Sequence, residues 1–569
     1  MRAFIRRFLP LVVLCSAIPL LSDKTLGAQA ADDPVLASLQ QELHRSFDNL
    51  KKQPVPAYFL AYQLTDNHSI QVSASFGALT STSDQHTRVL DVDLRVGDYT
   101  LDNTHSHDAT SMMAALRDSV GRVPMPLDNT ADVLQRSLWE ETDRKYKIAL
   151  ERYQDAKTST QVKAESEDKS ADFSHEPARQ YTEPEAAFHF DQQAAEQRAR
   201  RFSAEFAKYP DVFQGTVEVS GEVETRRFVN SEGSAIQISA PFYRIVIHGS
   251  TRAADGMHLP LHQTYLAFTP EALPSDDAVL KTIDEMSKTL EQLTQAPVAE
   301  PYTGPAILSG RASAVFFHEI FGHRIEGYRQ KNEEDAQTFK KQVGQHVLPD
   351  FISVYSDPTE MRIGKEDLVG YYKYDDEGVQ ATRVTVVDKG VLENFLMSRS
   401  PLAGFPTSNG HGRRQQGYEV AARQSNLIVE ASQHVTRAQL KQKLIEMVKA
   451  ANKPYGLYFD DVEGGFTFTE RDTPNAFSVL PTVVYRIYPD GREELVRGLD
   501  LIGTPLIAFS KIVAADDDVG VFNGMCGAES GWVPVSAVSP GILISQMEVQ
   551  LKGKSQEREP ILPAPSAKP

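Results

Sequence analysis

The 569-residue chain carries 59 basic and 77 acidic side chains, a formal net charge of −18, and 41% of its residues are hydrophobic. So acidic a chain repels polyphosphate backbones and anionic lipid surfaces, which excludes nucleic acid as a natural partner. Its length exceeds what one core fills, since single cores stop growing near roughly 250 to 300 residues, so two domains are expected.

At the N-terminus, Arg2, Arg6 and Arg7 precede an apolar run from Phe8 to Leu21, and Ala28-Gln-Ala30 supplies a small-x-small cleavage site. Residues 1 to 30 therefore read as an export signal cleaved near Ala30, leaving a periplasmic or secreted chain. The run is shorter than the roughly 20 residues that span a bilayer, so no stable membrane insertion is expected. Leu14 stands before Cys15 where lipid attachment would require a small residue.

Asp33 and Pro34 open a helix whose apolar face is Leu36, Leu39, Leu43, Phe47 and Leu50. Tyr58 to Thr65, Ile70 to Phe76 and Thr87 to Val96 carry strand patterns, with Asp66-Asn67 as a turn between the first two. His105 and His107 lie in a polar stretch and read as exposed loop imidazoles. From Leu134 to about Ala164 the sequence favours a charged helix, and Glu165 to Glu185 reads as a polar linker or exposed insertion. Strands resume at Thr216 to Val223, Phe228 to Val229, Ala235 to Ile238 and Tyr243 to Ile247, with a turn at Asn230-Ser-Glu-Gly233. Ser275 caps a helix marked by Val279, Ile283, Met286, Leu290 and Leu293, which Pro297 stops. Residues 31 to 300 thus form an N-terminal α+β domain with an insertion at about 134 to 187.

The second half, 301 to 552, is richer in strand. Asp388-Lys-Gly390 and Pro489-Asp-Gly491 are hairpin turns between β-branched runs. Thr436 caps a helix reaching about Ala451, and Thr504 with Pro505 opens another expected to run to about Ala514. Residues 553 to 569 are expected to be a disordered tail. The fold class is α+β.

Two imidazoles and a carboxylate stand within six residues of one another, in Ala314-Val-Phe-Phe-His-Glu-Ile-Phe-Gly-His323. With Cys15 in the export signal, Cys526 is the one thiol of the mature chain, so it is buried, pairs with another chain, or performs chemistry. A His, His, Cys set selects zinc and its neighbours and leaves a coordination position for water. Five helical steps between His318 and His323 rotate by roughly 140 degrees, so a distorted helix or a helix end is expected at residues 319 to 323, helped by Gly322 and an i to i+5 turn. The competing reading makes Glu319 and His323 a surface pair on a regular helix, with His318 in the core.

His318-Glu-Ile-Phe-Gly-His323, Arg324-Ile-Glu-Gly327, Pro301-Tyr-Thr-Gly-Pro305 and Gly524-Met-Cys-Gly527 together resemble the TldD/PmbA family of metallopeptidases. Asp376-Glu-Gly378, the Asp388-Lys-Gly390 hairpin and Ser408-Asn-Gly-His-Gly-Arg413 fall where that family has similar segments. The likeness covers roughly residues 215 to 552. The polar insertion, the export signal and Ala528-Glu529, where a basic residue is expected, depart from it.

The resemblance implies a two-part architecture, in which a β-rich C-terminal domain with a curved, mainly antiparallel sheet carries a metal-binding helix. It implies His318, His323 and Cys526 as ligands of a divalent metal, zinc before iron, and Glu319 as general base on water. A second donor to the substrate carbonyl would come from His411 or Arg413. Glu326 would orient a ligand imidazole or be a solvated charge. The substrate would be a small or unfolded peptide, and the assembly a homodimer or a heterodimer with a related member. Two other readings stand beside this one: a thiol hydrolase with Cys526 as nucleophile, and a non-catalytic binding or scaffold subunit.

Overall fold

The computed structural model describes residues 33–105, 122–162, 168–332, 335–471, 477–503 and 508–553. The expected export signal, His107, Thr504, Pro505 and the tail from 554 onward lie outside the described residues. Helices are α1 (Pro34–Leu50), α2 (Ala131–Val162), α3 (Gln192–Ala204), α4 (Asp276–Gln295), α5 (Gly310–Ile320), α6 (Tyr328–Lys331) and α7 (Arg437–Ala450). Among the described residues no helix is long and apolar enough to cross a membrane.

The first sheet contains β1 (Ala57–Ser75), β2 (Ala78–Val96), β3 (Val123–Pro124), β4 (Gln180–Thr182), β5 (Gln214–Asn230), β6 (Ala235–Arg252) and β7 (His258–Ala267). Its order is β3-β2-β1-β5-β6-β4, with β7 also on β6, and every pairing is antiparallel except β4 with β6. The expected turn at Asp66-Asn67 does not exist: β1 runs straight through it, pairing Asp66 with Arg88 and Asn67 with Thr87. The physical reason is charge, because the Asp66 carboxylate accepts from Arg88 Nε at 2.7 Å and Arg227 Nη1 at 2.8 Å, which keeps a polar residue in an extended ladder. The Asn230–Gly233 turn is found, with Gly233 at φ 102°. Caps behave as the sequence predicts: Asp33 accepts from the Val35 and Leu36 amides, and Ser275 accepts from Ala278.

Residues 168–185 are not an exposed linker. Asp172, Phe173 and Ser174 are buried, and β4 joins the sheet. Asp172 accepts from the Asp102 amide at 2.9 Å and stands 2.8 Å from His105 Nδ1, so polar residues enter the interior because each meets a partner. Leading into that segment, α2 packs on α1 and β2.

The second sheet comprises β8 (Tyr302–Leu308), β9 (Ile352–Ser356), β12 (Val384–Asp388), β13 (Val391–Leu392), β16 (Asn426–Ala431), β17 (Gly456–Thr467), β18 (Phe477–Ile487), β19 (Glu493–Val496), β20 (Leu499–Gly503), β21 (Ile512–Ala528) and β22 (Gly531–Leu551). Two small ribbons stand apart, β10 with β11 (Arg362–Ile363, Glu366–Asp367) and β14 with β15 (Gly412–Arg413, Ala421–Ala422). β8 pairs with β17 and β22, and β22 returns through β20 and β18 to β17, so five strands curl into a closed ring. Only β16 with β22 and β17 with β8 run parallel. Both expected hairpin turns occur, with positive φ at Gly390 and Gly491. The helix expected to reach Ala514 does not: from Ile512 the chain is strand, because β21 pairs along its length with the apolar β22.

Helix α5 packs against β17, β18, β21 and β22. Every residue in it except Arg311 is buried, as suits a helix apolar on all sides. Phe316 and Phe317 anchor it edge-on to Phe477 and stacked on Phe509, within a core that also takes Val479, Ile542 and Ile544.

Candidate metal centre

Ser309 starts α5 by accepting from the Ala312 amide at 3.2 Å, while its hydroxyl donates to the Asp460 carbonyl at 2.7 Å. The helix then meets β21 backbone to backbone. A Cβ on Gly310 would stand 2.3 Å from the Gly520 nitrogen, and one on Gly520 would stand 2.2 Å from the Arg311 nitrogen. Two glycines are what let β21 approach closely enough to deliver Cys526 beside the far end of α5.

That far end breaks as the spacing demands. α5 stops at Ile320, and Gly322–Ile325 forms a 3-10 turn in which the Arg324 amide donates to the Phe321 carbonyl at 2.9 Å. A tighter turn, not an i to i+5 bulge, realigns the imidazoles, whose ring centroids are 5.1 Å apart. Gly322 leaves the space that the Gln424 side chain fills, since a Cβ would lie 1.8 Å from Gln424 Oε1. Gln424 in turn donates through Nε2 to the His318 carbonyl at 3.3 Å.

Donor atoms of His318, His323 and Cys526 all lie within 4.8 Å of one another, and all three residues are buried. Cys526 Sγ is 3.3 Å from His323 Nε2. For ligands at about 2.0 to 2.3 Å from a tetrahedral ion, donors stand roughly 3.3 to 3.8 Å apart, so the set suits zinc with modest closure. Nδ1 of His318 is buried without a hydrogen-bond partner among the described residues, which fits a ring nitrogen kept for another ligand. The surface-pair reading of Glu319 and His323 is ruled out by burial, at 7% and 6% exposure.

Glu326 is a buried partner, not a solvated charge. Its Oε2 lies 3.3 Å from His323 Nδ1 and accepts from Arg329 Nε at 2.9 Å. Accepting the Nδ1 proton leaves Nε2 of His323 facing the sulfur. Burial opposes ionisation of Glu326, but His323, Arg329 and Arg423 outweigh it and hold the carboxyl down to about 2. Glu319 goes the other way: burial pushes its carboxyl up, against the pull of His318 and His323. Its Oε2 is 4.0 Å from His323 Nε2. Burial would raise the Cys526 thiol, yet His323 and Arg423 bring it well below the ordinary range; the sulfide charge in turn helps lift His323 to about 10, against the lowering effect of burial.

The ring of His411 and Nη1 of Arg413, where a second donor is expected, are engaged within the fold. Both ring nitrogens of His411 are engaged, Nδ1 beside the Asn409 carbonyl and side-chain oxygens at 3.1 Å and Nε2 beside Ser356 Oγ at 3.0 Å, and the residue is wholly buried. Arg413 Nη1 donates to the Gln424 and Pro534 carbonyls at 2.8 and 2.6 Å. Interior carbonyls and a serine hydroxyl engage these donors, a demand that spacing does not reveal.

Sequence reasoning missed Arg423, Gln424 and Gly465. A Cβ on Gly465 would stand 2.7 Å from Glu319 Cγ, so this β17 glycine makes room for the carboxylate. The Gly464-Gly465 pair inside an otherwise strand-like run was the available signal. The acidic departure at Glu529 is also explained, since it accepts from Arg329 Nη1 at 2.7 Å and Nη2 at 2.9 Å and from the Tyr328 hydroxyl.

Residues 301–551 match the family model described as the PmbA/TldA metallopeptidase C-terminal domain. A protein of Archaeoglobus fulgidus named metalloprotease is 26% identical over 268 residues, 47% of this chain and 58% of its own length. A zinc metalloprotease TldD homolog of Saccharolobus solfataricus is 25% identical over 248 residues, 43% of this chain and 51% of its own. The chain thus spans about half the length of these curated relatives. In fold it is similar to a Thermotoga maritima protein described as a candidate modulator of a DNA gyrase, with a TM-score of 0.60 at 17% identity, over 90% of this chain and 99% of that one.

Proposed function

We propose, on the match of residues 301–551 to the PmbA/TldA metallopeptidase C-terminal domain, that this chain is a member of the TldD/PmbA family and hydrolyses peptide bonds with a divalent ion held by His318, His323 and Cys526. The observation that carries this reading is the meeting of those three donor sets within 4.8 Å, from segments about two hundred positions apart in the chain. Two imidazoles and a thiolate favour zinc over iron. When bound, such an ion supplies Lewis acidity and lowers the pKa of water to about 7.

The residues divide the remaining work. Glu319, with its raised carboxyl affinity for protons, accepts the water proton and returns it to the departing amine. Glu326 stays ionised and keeps the His323 ring oriented. Two buried carboxylates with opposite shifts are the pattern expected of one acid–base group and one fixed charge. Substrates on this reading are small or unfolded peptides. The mature chain acts outside the cytoplasm after loss of residues 1 to 30, as a homodimer or with a related chain.

The decisive test is Glu319→Gln in purified protein. Metal content should be unchanged while turnover of a short-peptide library falls about 10² to 10⁴-fold. Full activity in that variant ends the metallopeptidase reading. A second reading, a thiol hydrolase, has support in the 3.3 Å contact between Cys526 Sγ and His323 Nε2. Chelator separates the two, because it abolishes the first activity, with zinc restoring it, and spares the second.

A further inference from the structure

The Arg423 guanidinium reaches the ligand sulfur itself. It is fully buried. Nη2 donates to Cys526 Sγ at 3.1 Å and to the Cys526 carbonyl at 2.8 Å. Nη1 donates to Ser530 Oγ at 2.9 Å and the Gly531 carbonyl at 3.1 Å, at the turn that joins β21 to β22. Nε faces Glu326 Oε1 at 3.3 Å.

These contacts close a circuit. From Cys526 Sγ the path runs to His323 Nε2 at 3.3 Å, from His323 Nδ1 to Glu326 Oε2 at 3.3 Å, from Glu326 Oε1 to Arg423 Nε at 3.3 Å, and from Arg423 Nη2 back to the sulfur at 3.1 Å. Two ligands that the chain separates by about two hundred residues are thereby tied through one arginine and one glutamate. The neighbouring Gln424 grips the other ligand helix, through the His318 carbonyl and the space left by Gly322.

We propose that Arg423 is a positioning residue of the metal centre, which orients the Cys526 sulfur toward the imidazole pair and draws electron density from it by a direct N–H donation. A purely architectural arginine directs its fork at carboxylates or carbonyls. This one spends a donor on the ligand atom, and hydrogen bonds to ligand sulfur weaken its donation and tune the ion it binds. Lysine cannot replace it, because one ammonium cannot reach the sulfur, the hairpin carbonyls and Glu326 at once.

Arg423's role presupposes the metallopeptidase reading, so the test is built to tell the two apart. Cobalt(II) is titrated into metal-stripped wild-type protein, Arg423→Gln and Arg423→Lys, following the near-ultraviolet sulfur-to-cobalt charge-transfer band and the binding constant, with zinc affinity measured by competition. In wild type the band should appear. In Arg423→Gln it should move to lower energy, since the sulfur has lost its donor, and affinity should fall about 10 to 100-fold; Arg423→Lys should lie between. With zinc restored, kcat should fall while KM holds. Absence of the band in wild type removes the metallopeptidase reading together with the role assigned to Arg423. A wild-type band that is unshifted in the variants overturns the positioning role alone, even if affinity drops, because a loosened fold would do that. Failure of both variants to fold also overturns it, placing Arg423 in the scaffold and not at the metal.

Discussion

Two buried arginines, one in each sheet region, show how differently this chain uses interior charge. Arg227 on β5 sends Nε to Asp33 and Nη1 to Asp66, each at 2.8 Å, and Nη2 to Glu185. Every arm ends on a carboxylate, and the three acids come from the α1 cap, β1 and the segment after β4. Arg423 faces one carboxylate, Glu326, and ends its other arms on carbonyls, a serine and a thiolate. Nearby, His318 Nδ1 and Gln424 Oε1 are buried without hydrogen-bond partners among the described residues. A cluster whose arms all end on carboxylates is scaffold; one that leaves polar atoms unsatisfied beside a soft ligand is prepared for something else to bind.

The comparison breaks if Arg227 proves dispensable. Arg227→Ala strips the charge partner from Asp33, Asp66 and Glu185 together, and losing one side of a buried pair costs about 3 to 5 kcal/mol. Denaturant unfolding should show that loss while bound zinc per chain stays constant. A drop in metal content without a drop in stability would merge the two clusters into one.

Acid sharpens the same contrast within the candidate metal centre. Glu326 is held at about 2, below the ordinary carboxyl value near 4.3 to 4.5, so its ionised form stabilises the fold above that value, and the contribution disappears as pH falls from about 4.5 through 2. The size is about 3 kcal/mol, from 1.36 kcal/mol per unit. Glu319 carries the opposite sign: its raised pKa favours the protonated form in the folded chain, so its contribution weakens as pH rises. In metal-free protein, Glu326→Gln should flatten the acid limb of the stability curve, whereas Glu319→Gln should raise stability at neutral pH.

How much of this was legible follows from the range of each force. Local signals held: the Asp33 and Ser275 caps, the Asn230–Gly233, Asp388–Gly390 and Pro489–Gly491 turns, and the helix break after Ile320 all depend on residues within a few positions. That His318, His323 and Cys526 would meet was legible because soft donors are scarce, and a lone cysteine beyond the first thirty residues calls for a reason. What failed depends on partners far away in sequence. Asp66-Asn67 reads as a turn until Arg88 and Arg227 are placed beside it, and residues 168–185 read as solvent-exposed until Asp172 meets Asp102 and His105. Arg423 carries no motif at all, since its meaning lies in the hairpin turn and the sulfur it reaches across the fold.

A subtler perturbation asks whether Glu319 is held as firmly as the sulfur. At Gly465 a Cβ would press within 2.7 Å of Glu319 Cγ and 2.9 Å of the Ser478 carbonyl, and the backbone cannot yield readily because Gly465 is paired with Val479 in the β17–β18 ladder. Gly465→Ala should therefore displace the carboxylate while leaving His318, His323 and Cys526 in place. A shift of about 1 Å in a catalytic group costs on the order of 10²-fold in rate, roughly 2.7 kcal/mol in the barrier at 1.36 kcal/mol per tenfold. The expected result is a fall in kcat with unchanged zinc content and an unchanged cobalt–thiolate band. If the band moves as well, the carboxylate and the sulfur share one mechanical unit, and the division between a movable acid–base group and a clamped ligand does not hold.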